Sequence, residues 1–227
     1  MTGAVIFDFD GLIIDTEHCE YLSWAEIWAE QGCSLRPADW RPHVGSVGTF
    51  DPIAALQAAS DRSLDVELIR ARQGARNLEL SMSAPSRPGI REALTLCGNQ
   101  GLRCAVASSS PEKWVRTHLD RLGLAASFEY LACLDAGVRP KPAPDLYRRA
   151  LRVLGVPAAH AIAVEDSLHG LAAARGANIR CIVMPGAMTA GECFRGAHCA
   201  IASDSTLTLG AAITRCLSQG SVTWCRA

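Results

Sequence analysis

Ala4-Val5-Ile6-Phe7-Asp8-Phe9-Asp10-Gly11-Leu12-Ile13-Ile14-Asp15-Thr16-Glu17 is the stretch from which the fold is read. Its first four residues are a short apolar run, the pattern of a strand covered on both faces in a parallel sheet. Such a strand should not end in two carboxylates one residue apart unless something offsets the cost. Alternation sends Asp8 and Asp10 toward one side for as long as the strand lasts. Two carboxylates there repel each other and are poorly solvated, so they call for a cation or a shared proton. Gly11 then permits a sharp reversal of the chain. Ligands of open α/β sheets bind at the carboxyl ends of the strands, so this end is read as a site.

Downstream, apolar residues recur at helical spacing from a Thr16 N-cap to Gly32. Residues 33–50 read as loop, and helices are expected over Pro52–Ala59 and about Leu64–Leu80. No convincing strand occurs over residues 16–83, so this segment reads as a helical insertion. After Pro85 and Pro88-Gly89 the pattern alternates regularly. Strands are expected at 102–107, 129–133, 161–164, 180–184 and 199–201, with helices at 90–99, 111–123, 144–154 and 167–175. Alternation of this kind predicts an α/β fold: a Rossmann-like parallel-sheet core, residues 1–15 and 84–227, with a helical cap domain, residues 16–83, inserted after the first strand.

Bulk composition excludes several classes. The 227 residues carry a formal net charge of -1, with no run of one sign, so nothing marks a binder of nucleic acid or of anionic membranes. No segment has the apolar length of a transmembrane helix, and no secretory signal precedes Asp8. The ten cysteines include no C-x-x-C pair. Cys97, Cys104, Cys133 and Cys181 fall within apolar patterns, which predicts buried free thiols and a reducing cytoplasm. The His18-Cys19 and His198-Cys199 dipeptides lack the spacing of a zinc site.

Three further strand ends carry polar groups. Ser108-Ser109-Ser110 precedes a helix, where hydroxyls and backbone N–H groups suit a phosphate; a plain helix cap by Ser110 is the alternative. Lys141 lies between Pro140 and Pro142, which restrict its backbone. The strand ending at Val164 runs into Glu165-Asp166, and Gly170 lets the following helix approach closely; an Asp166 N-cap at a surface turn is the alternative. Together these groups put two acidic pairs, a serine cluster and a lysine on one sheet edge. Carboxylates without thiolates or many histidines favour a hard cation, above all Mg²⁺. A serine, a lysine and Mg²⁺ around an aspartate suit phosphoryl transfer.

The order Asp8-Phe9-Asp10-Gly11, Ser108, Lys141-Pro142-Ala143-Pro144-Asp145-Leu146-Tyr147 and Glu165-Asp166-Ser167-Leu168-His169-Gly170 resembles the haloacid dehalogenase superfamily, and within it the β-phosphoglucomutase and phosphoglycolate phosphatase subfamily. The resemblance implies that Asp8 is the nucleophile, forming an aspartyl phosphate, and that Asp10 is the general acid and then the base. It implies Mg²⁺ on the Asp8 carboxylate, the Asp10 carbonyl and Asp166, with Glu165 on the ion or just behind it. Ser108 and Ser109 would bind the phosphoryl group, and Lys141 would neutralise it. The dehalogenases of the superfamily lack an acid at position 10, so its retention points to phosphate chemistry.

The resemblance also bears on the choice between phosphatase and mutase. The mutases carry a cap histidine where this chain has Glu20, and a cap-loop arginine where this chain has Gly48 within Val44-Gly45-Ser46-Val47-Gly48-Thr49-Phe50. A cap without that cation suits a bisphosphate poorly, so hydrolysis of a small phosphate ester is expected. Asp15, Glu20, His43 and Ser46 are candidate substrate contacts, and their acids and hydroxyls suit a sugar, polyol or cyclitol phosphate; Asp15 as a cap of the first cap helix and Glu20 as a solvated acid are the alternatives. Mutase and phosphoglycolate phosphatase activities are the alternatives. A receiver-like phosphate-accepting module fits less well, because the nucleophile lies on the first strand.

Overall fold

The computed structural model describes residues 3–44, 50–202 and 205–218. Six strands form one sheet: β1 (Ala4–Phe7), β2 (Arg103–Ala107), β3 (Tyr130–Ala132), β4 (Ala161–Glu165), β5 (Arg180–Val183) and β6 (Cys199–Ala200). All paired neighbours run parallel, in the order β3-β2-β1-β4-β5-β6. The strand containing the apolar run is therefore central, with β2 and β4 on its two sides. From β1 the chain builds outward to β3, then crosses back and builds from β4 to β6. The crevice at that reversal is where an open α/β sheet takes its ligand.

Alternation along β1 sorts its side chains to two faces. Val5 and Phe7 join a cluster with Ile90, Leu94, Val115, Leu119 and Ile213, from helices α5 (Ile90–Asn99), α6 (Glu112–Arg121) and α9 (Leu209–Ser218). Ala4 and Ile6 face α7 (Asp145–Leu154) and α8 (Leu168–Gly176), packing with Leu146, Tyr147, Leu154 and Leu171. Both faces are covered, which is why the strand reads as continuously apolar rather than alternating.

Between β1 and α5 lie α1 (Thr16–Glu30), α2 (Pro37–Trp40), α3 (Pro52–Ala59) and α4 (Val66–Ser83). They bury a cluster that includes Trp24, Trp28, Trp40, Leu56 and Ile69, joined by Met188 from beyond β5. Exposed ion pairs join α1 to α4, with Arg76 Nε 2.6 Å from Glu26 and Arg72 2.7 Å from Glu30.

Local details depart from the sequence expectations at several points. Asp15, not Thr16, is the N-cap of α1, its Oδ1 accepting from His18 N at 3.4 Å. Residues 37–43 form α2 and a short 3-10 turn, because Pro37 supplies a preformed first helical turn inside what reads as loop. Helix α9 lies beyond the last expected element. Its Leu209, Ala212, Ile213 and Cys216 face the core at helical spacing, so the pattern was present in the sequence. Cys97, Cys104, Cys133 and Cys181 are buried free thiols. Among the described residues no helix is long and apolar enough to cross a membrane.

Candidate active site

Register brings the site together. Phe7 pairs with Val106 on one side and Val164 on the other, so Asp8 leaves the sheet beside the ends of β2 and β4. Asp8 N still donates to Val164 O at 2.9 Å. Beyond it the chain turns back, with Ile13 N on Phe9 O at 2.8 Å and Gly11 N on Ile14 O at 2.8 Å. Gly11 has φ +78°, and a Cβ there would run into the Asp166 carboxylate. The strand has ended at Phe7, so alternation no longer governs Asp10, and the two acids face separate sets of partners.

Asp8 belongs to a buried cluster. Oxygens of Asp8, Glu165 and Asp166 lie within 4.8 Å of one another. Lys141 Nζ sits 2.5 Å from Asp8 Oδ1 and 2.7 Å from Glu165 Oε1, and Lys141 is only 4% exposed. Its backbone N–H is held by Ser109 Oγ at 3.1 Å. Tyr147 donates to Glu165 Oε1 at 2.5 Å. Helix α8 is capped by Ser167 through Gly170 N, 3.1 Å, rather than by Asp166. At Gly170 a Cβ would strike the Glu165 carboxylate, so glycine is what lets the helix lie over that acid.

The electrostatics match this packing. Burial, followed by the Glu165 charge, raises the Asp8 pKa to about 8 against the pull of Lys141. Asp166 is pushed well up by burial, then by Asp8 and Glu165. Burial opposes the Lys141 ammonium, yet Asp8 and Glu165 more than offset it and hold its pKa above the ordinary lysine value. Three carboxylates against one ammonium leave an excess of buried negative charge. An all-oxygen donor set of this kind fits a hard divalent cation.

Asp10 makes a second arrangement, at the mouth of the cluster. Its Oδ1 accepts from Thr16 Oγ1 at 2.8 Å and from Trp114 Nε1 at 2.9 Å. Its Oδ2 accepts from Ser110 Oγ at 2.7 Å and Ser108 Oγ at 3.2 Å. Ser110 therefore does not cap α6; Pro111 occupies that position without a side-chain cap. Ser108 Oγ also accepts from Ser110 N at 3.0 Å.

Above these groups opens a cavity of about 390 Å³, lined on the sheet side by Asp8, Asp10, Lys141 and Trp114 and from α1 and α4 by Glu17, Glu20 and Asn77. Burial, then Asp10, pushes the Glu20 pKa up. Asn77 Oδ1 is buried with no hydrogen-bond partner. Of the expected contacts, Glu20, Ser109 and Lys141 reach the cavity, whereas Ser108 is wholly buried with its hydroxyl on Asp10. Asp15 is absent from its lining because the carboxylate is occupied in capping α1. His43 is likewise absent, its ring stacking on Phe50 at 4.8 Å. Ser46 and the loop that would carry a mutase arginine lie outside the described residues. Trp114, Asn77 and Glu17 were missed by sequence reasoning. Trp114 and Asn77 carry no motif signal, while Glu17 had only its proximity to Asp15.

Residues 5–184 match the haloacid dehalogenase-like hydrolase family. The chain belongs to that family. YhcW of Bacillus subtilis (strain 168) is 37% identical over 189 residues, covering 83% of this chain and 86% of the relative. Hexitol phosphatase B of Escherichia coli (strain K12) is 33% identical over 188 residues, covering 80% and 83%. Among solved structures, CbbY from Rhodobacter sphaeroides in complex with phosphate superimposes with a TM-score of 0.71 at 32% identity, covering 88% of this chain and 94% of that one. A mutant of the same protein was solved with xylulose-(1,5)bisphosphate. The chain is thus an enzyme of phosphatase type, from a hydrolase family that generally uses a divalent metal.

Proposed function

We propose that this hydrolase is a Mg²⁺-dependent phosphatase that cleaves a small sugar, polyol or cyclitol phosphate through an aspartyl phosphate on Asp8. The observation that carries the proposal is the placement of Asp8 in a buried acid cluster against Lys141, with Asp10 separately held at the mouth of the same cavity.

In the first half-reaction an Asp8 carboxylate oxygen bonds to phosphorus as the bond to the leaving oxygen breaks. Asp10 gives that oxygen its proton. In the second, water attacks phosphorus, its proton passes to Asp10, and the bond to Asp8 breaks, restoring the carboxylate. Lys141 offsets charge on Asp8 and on the phosphoryl oxygens, and Ser108 and Ser109 contact the phosphoryl group. The Asp8 and Asp166 carboxylates and the Asp10 carbonyl would hold the Mg²⁺, with Glu165 on it or beside it. The ion would supply positive charge where negative charge gathers on the phosphoryl oxygens.

Residues 16–83 act as a cap over a core of residues 1–15 and 84–227, and Glu17, Glu20 and Asn77 bring its contacts to the leaving group. The carboxylates and the amide oxygen accept hydrogen bonds from hydroxyls, and the carboxylates repel a second phosphate, which favours a monophosphate ester over a bisphosphate. The likeness to hexitol phosphatase B supports a polyol phosphate, while the xylulose-(1,5)bisphosphate held by the CbbY mutant supports the broader class of phosphorylated sugars. The buried thiols support a reducing cytoplasm as the compartment.

Phosphate release with Mg²⁺ from a panel of sugar, polyol, cyclitol and glycolate phosphates tests the proposal, with Asp8→Asn as control. Release from one class and none from Asp8→Asn is expected. Interconversion of a sugar 1-phosphate and 6-phosphate without release would make the enzyme a mutase instead.

A further inference from the structure

Asp10 is the acid that must deliver a proton to the leaving oxygen, and its carboxylate is unusually well tethered. Three of its donors are hydroxyls, from Thr16, Ser108 and Ser110, and a hydroxyl can turn to accept as readily as it donates. The fourth donor is different. The Trp114 indole N–H can only donate, and its ring is rigid about two torsions, so it sets a direction for Oδ1 that the hydroxyls do not.

The ring is itself braced. His118, one turn further along α6, is wholly buried and packs its ring 4.2 Å from the Trp114 ring, centroid to centroid. His118 Nδ1 is 2.9 Å from Trp114 O, where the carbonyl accepts, which fixes Nδ1 as the protonated nitrogen. On its other side His118 meets Phe9 edge-on at 6.0 Å. The residue preceding Asp10 and the residue holding its carboxylate are thus packed on one imidazole. The indole also lines the cavity, so it lies where the leaving group must pass.

We propose that Trp114 is a positioning residue that aims the Asp10 carboxylate at the leaving oxygen of the phosphate ester. This rests on the phosphatase reading above. As the P–O bond breaks, the proton moves from Asp10 to the departing oxygen; Trp114 exchanges no proton and acts through orientation alone. The consequence is selective. An alkyl phosphate expels a strongly basic alkoxide and depends on the acid, whereas a nitrophenyl phosphate expels a stable anion and hardly needs it.

The test compares glycerol phosphate and p-nitrophenyl phosphate as substrates of the wild type, Trp114→Phe and a variant with benzothienylalanine at position 114. That analogue keeps the fused ring and lacks the N–H, so it guards against a fold lost through the smaller phenyl ring. For both variants the single-turnover rate of glycerol release, which reports the first half-reaction alone, should fall on the order of tenfold to a hundredfold, the range expected for a misaimed catalytic group. The single-turnover rate of nitrophenolate release should hold within about threefold, with KM unchanged for both. Asp10→Asn should show the same selectivity in the release step more strongly, and should lose turnover on both esters because the second half-reaction needs Asp10 as its base. Equal losses on the two esters, no loss on either, or a rise in KM alone would overturn the role of Trp114 while leaving the phosphatase standing. A wild type inert toward both esters and toward the wider panel would overturn the phosphatase reading and this inference together.

Discussion

Lys141 shows how far single side chains decide this site. Its ammonium is the partner within ion-pair reach of both Asp8 and Glu165 in a region shielded from water. Removing one partner of a buried pair costs about 3–5 kcal/mol, far more than any exposed pair contributes. Lys141→Met should therefore abolish turnover and lower the urea midpoint in metal-free buffer, and added Mg²⁺ should stabilise the variant more than it stabilises the wild type. An unchanged midpoint without metal would show that the carboxylates tolerate one another unaided. At this scale the sequence was informative wherever a polar group sat at the end of an apolar strand, as with Asp8, Ser108 and Glu165-Asp166. It was silent on Trp114 and Asn77. Both lie within helices, where the direction of a side chain depends on how the helix docks, and nothing local records that.

At the scale of elements, two joints lend themselves to measurement. The β5–β6 edge is held by His198, whose backbone N–H donates to Cys181 O at 2.8 Å while its ring Nδ1 accepts from Cys181 N at 3.1 Å. Burial, then Arg180 and Arg175, lowers its pKa below the ordinary 6.5. The unfolded chain thus binds a proton that the folded one refuses, and stability should be full above about pH 6.5 and decline as pH falls below it. His198→Gln should flatten that decline in urea titrations run between pH 7 and pH 5; an unaltered slope would place the pH dependence elsewhere. The second joint is Gly170, where α8 lies over Glu165. Gly170→Ala should cost activity and stability together, by roughly 1–3 kcal/mol, since the added methyl meets a carboxylate that Tyr147 and Lys141 hold in place. Elements themselves were legible wherever burial on both faces left an apolar run. Helix α2 was hidden because four residues are too few to show a period, and α1 was given the wrong cap because Asp15 and Thr16 are both capping residue types.

For the whole molecule, what matters is how the segment of residues 16–83 is attached. Its two crossings meet in a bridge between Ile14 and Ser86, and Arg87 ties them to the sheet. The Arg87 guanidinium donates to Gly11 O at 2.5 Å, Met184 O at 2.9 Å and Pro185 O at 2.7 Å, and its backbone N–H donates to Ile13 O at 2.9 Å. Arg121 of α6 holds Ala84 O at 2.7 Å. Arg87→Met should lower the unfolding free energy by about 2 kcal/mol or more, since three carbonyls lose a charged donor in a mostly buried position. A midpoint equal to the wild type would mean that water replaces the guanidinium without loss.

The strand order has a consequence for synthesis. On the ribosome β1 emerges first, yet its hydrogen-bonding neighbours arrive only with residues 103–107 and 161–165. Until then the newborn chain carries a wholly apolar strand with both edges bare, followed by a helical segment able to collapse on its own tryptophans. The strand that leads into Asp8 must wait longest for partners, so the nascent protein is exposed to mispairing until β4 has cleared the exit tunnel. Activity appearing during translation would consequently mark completion of the sheet's centre, and translation arrested before residue 161 should yield none.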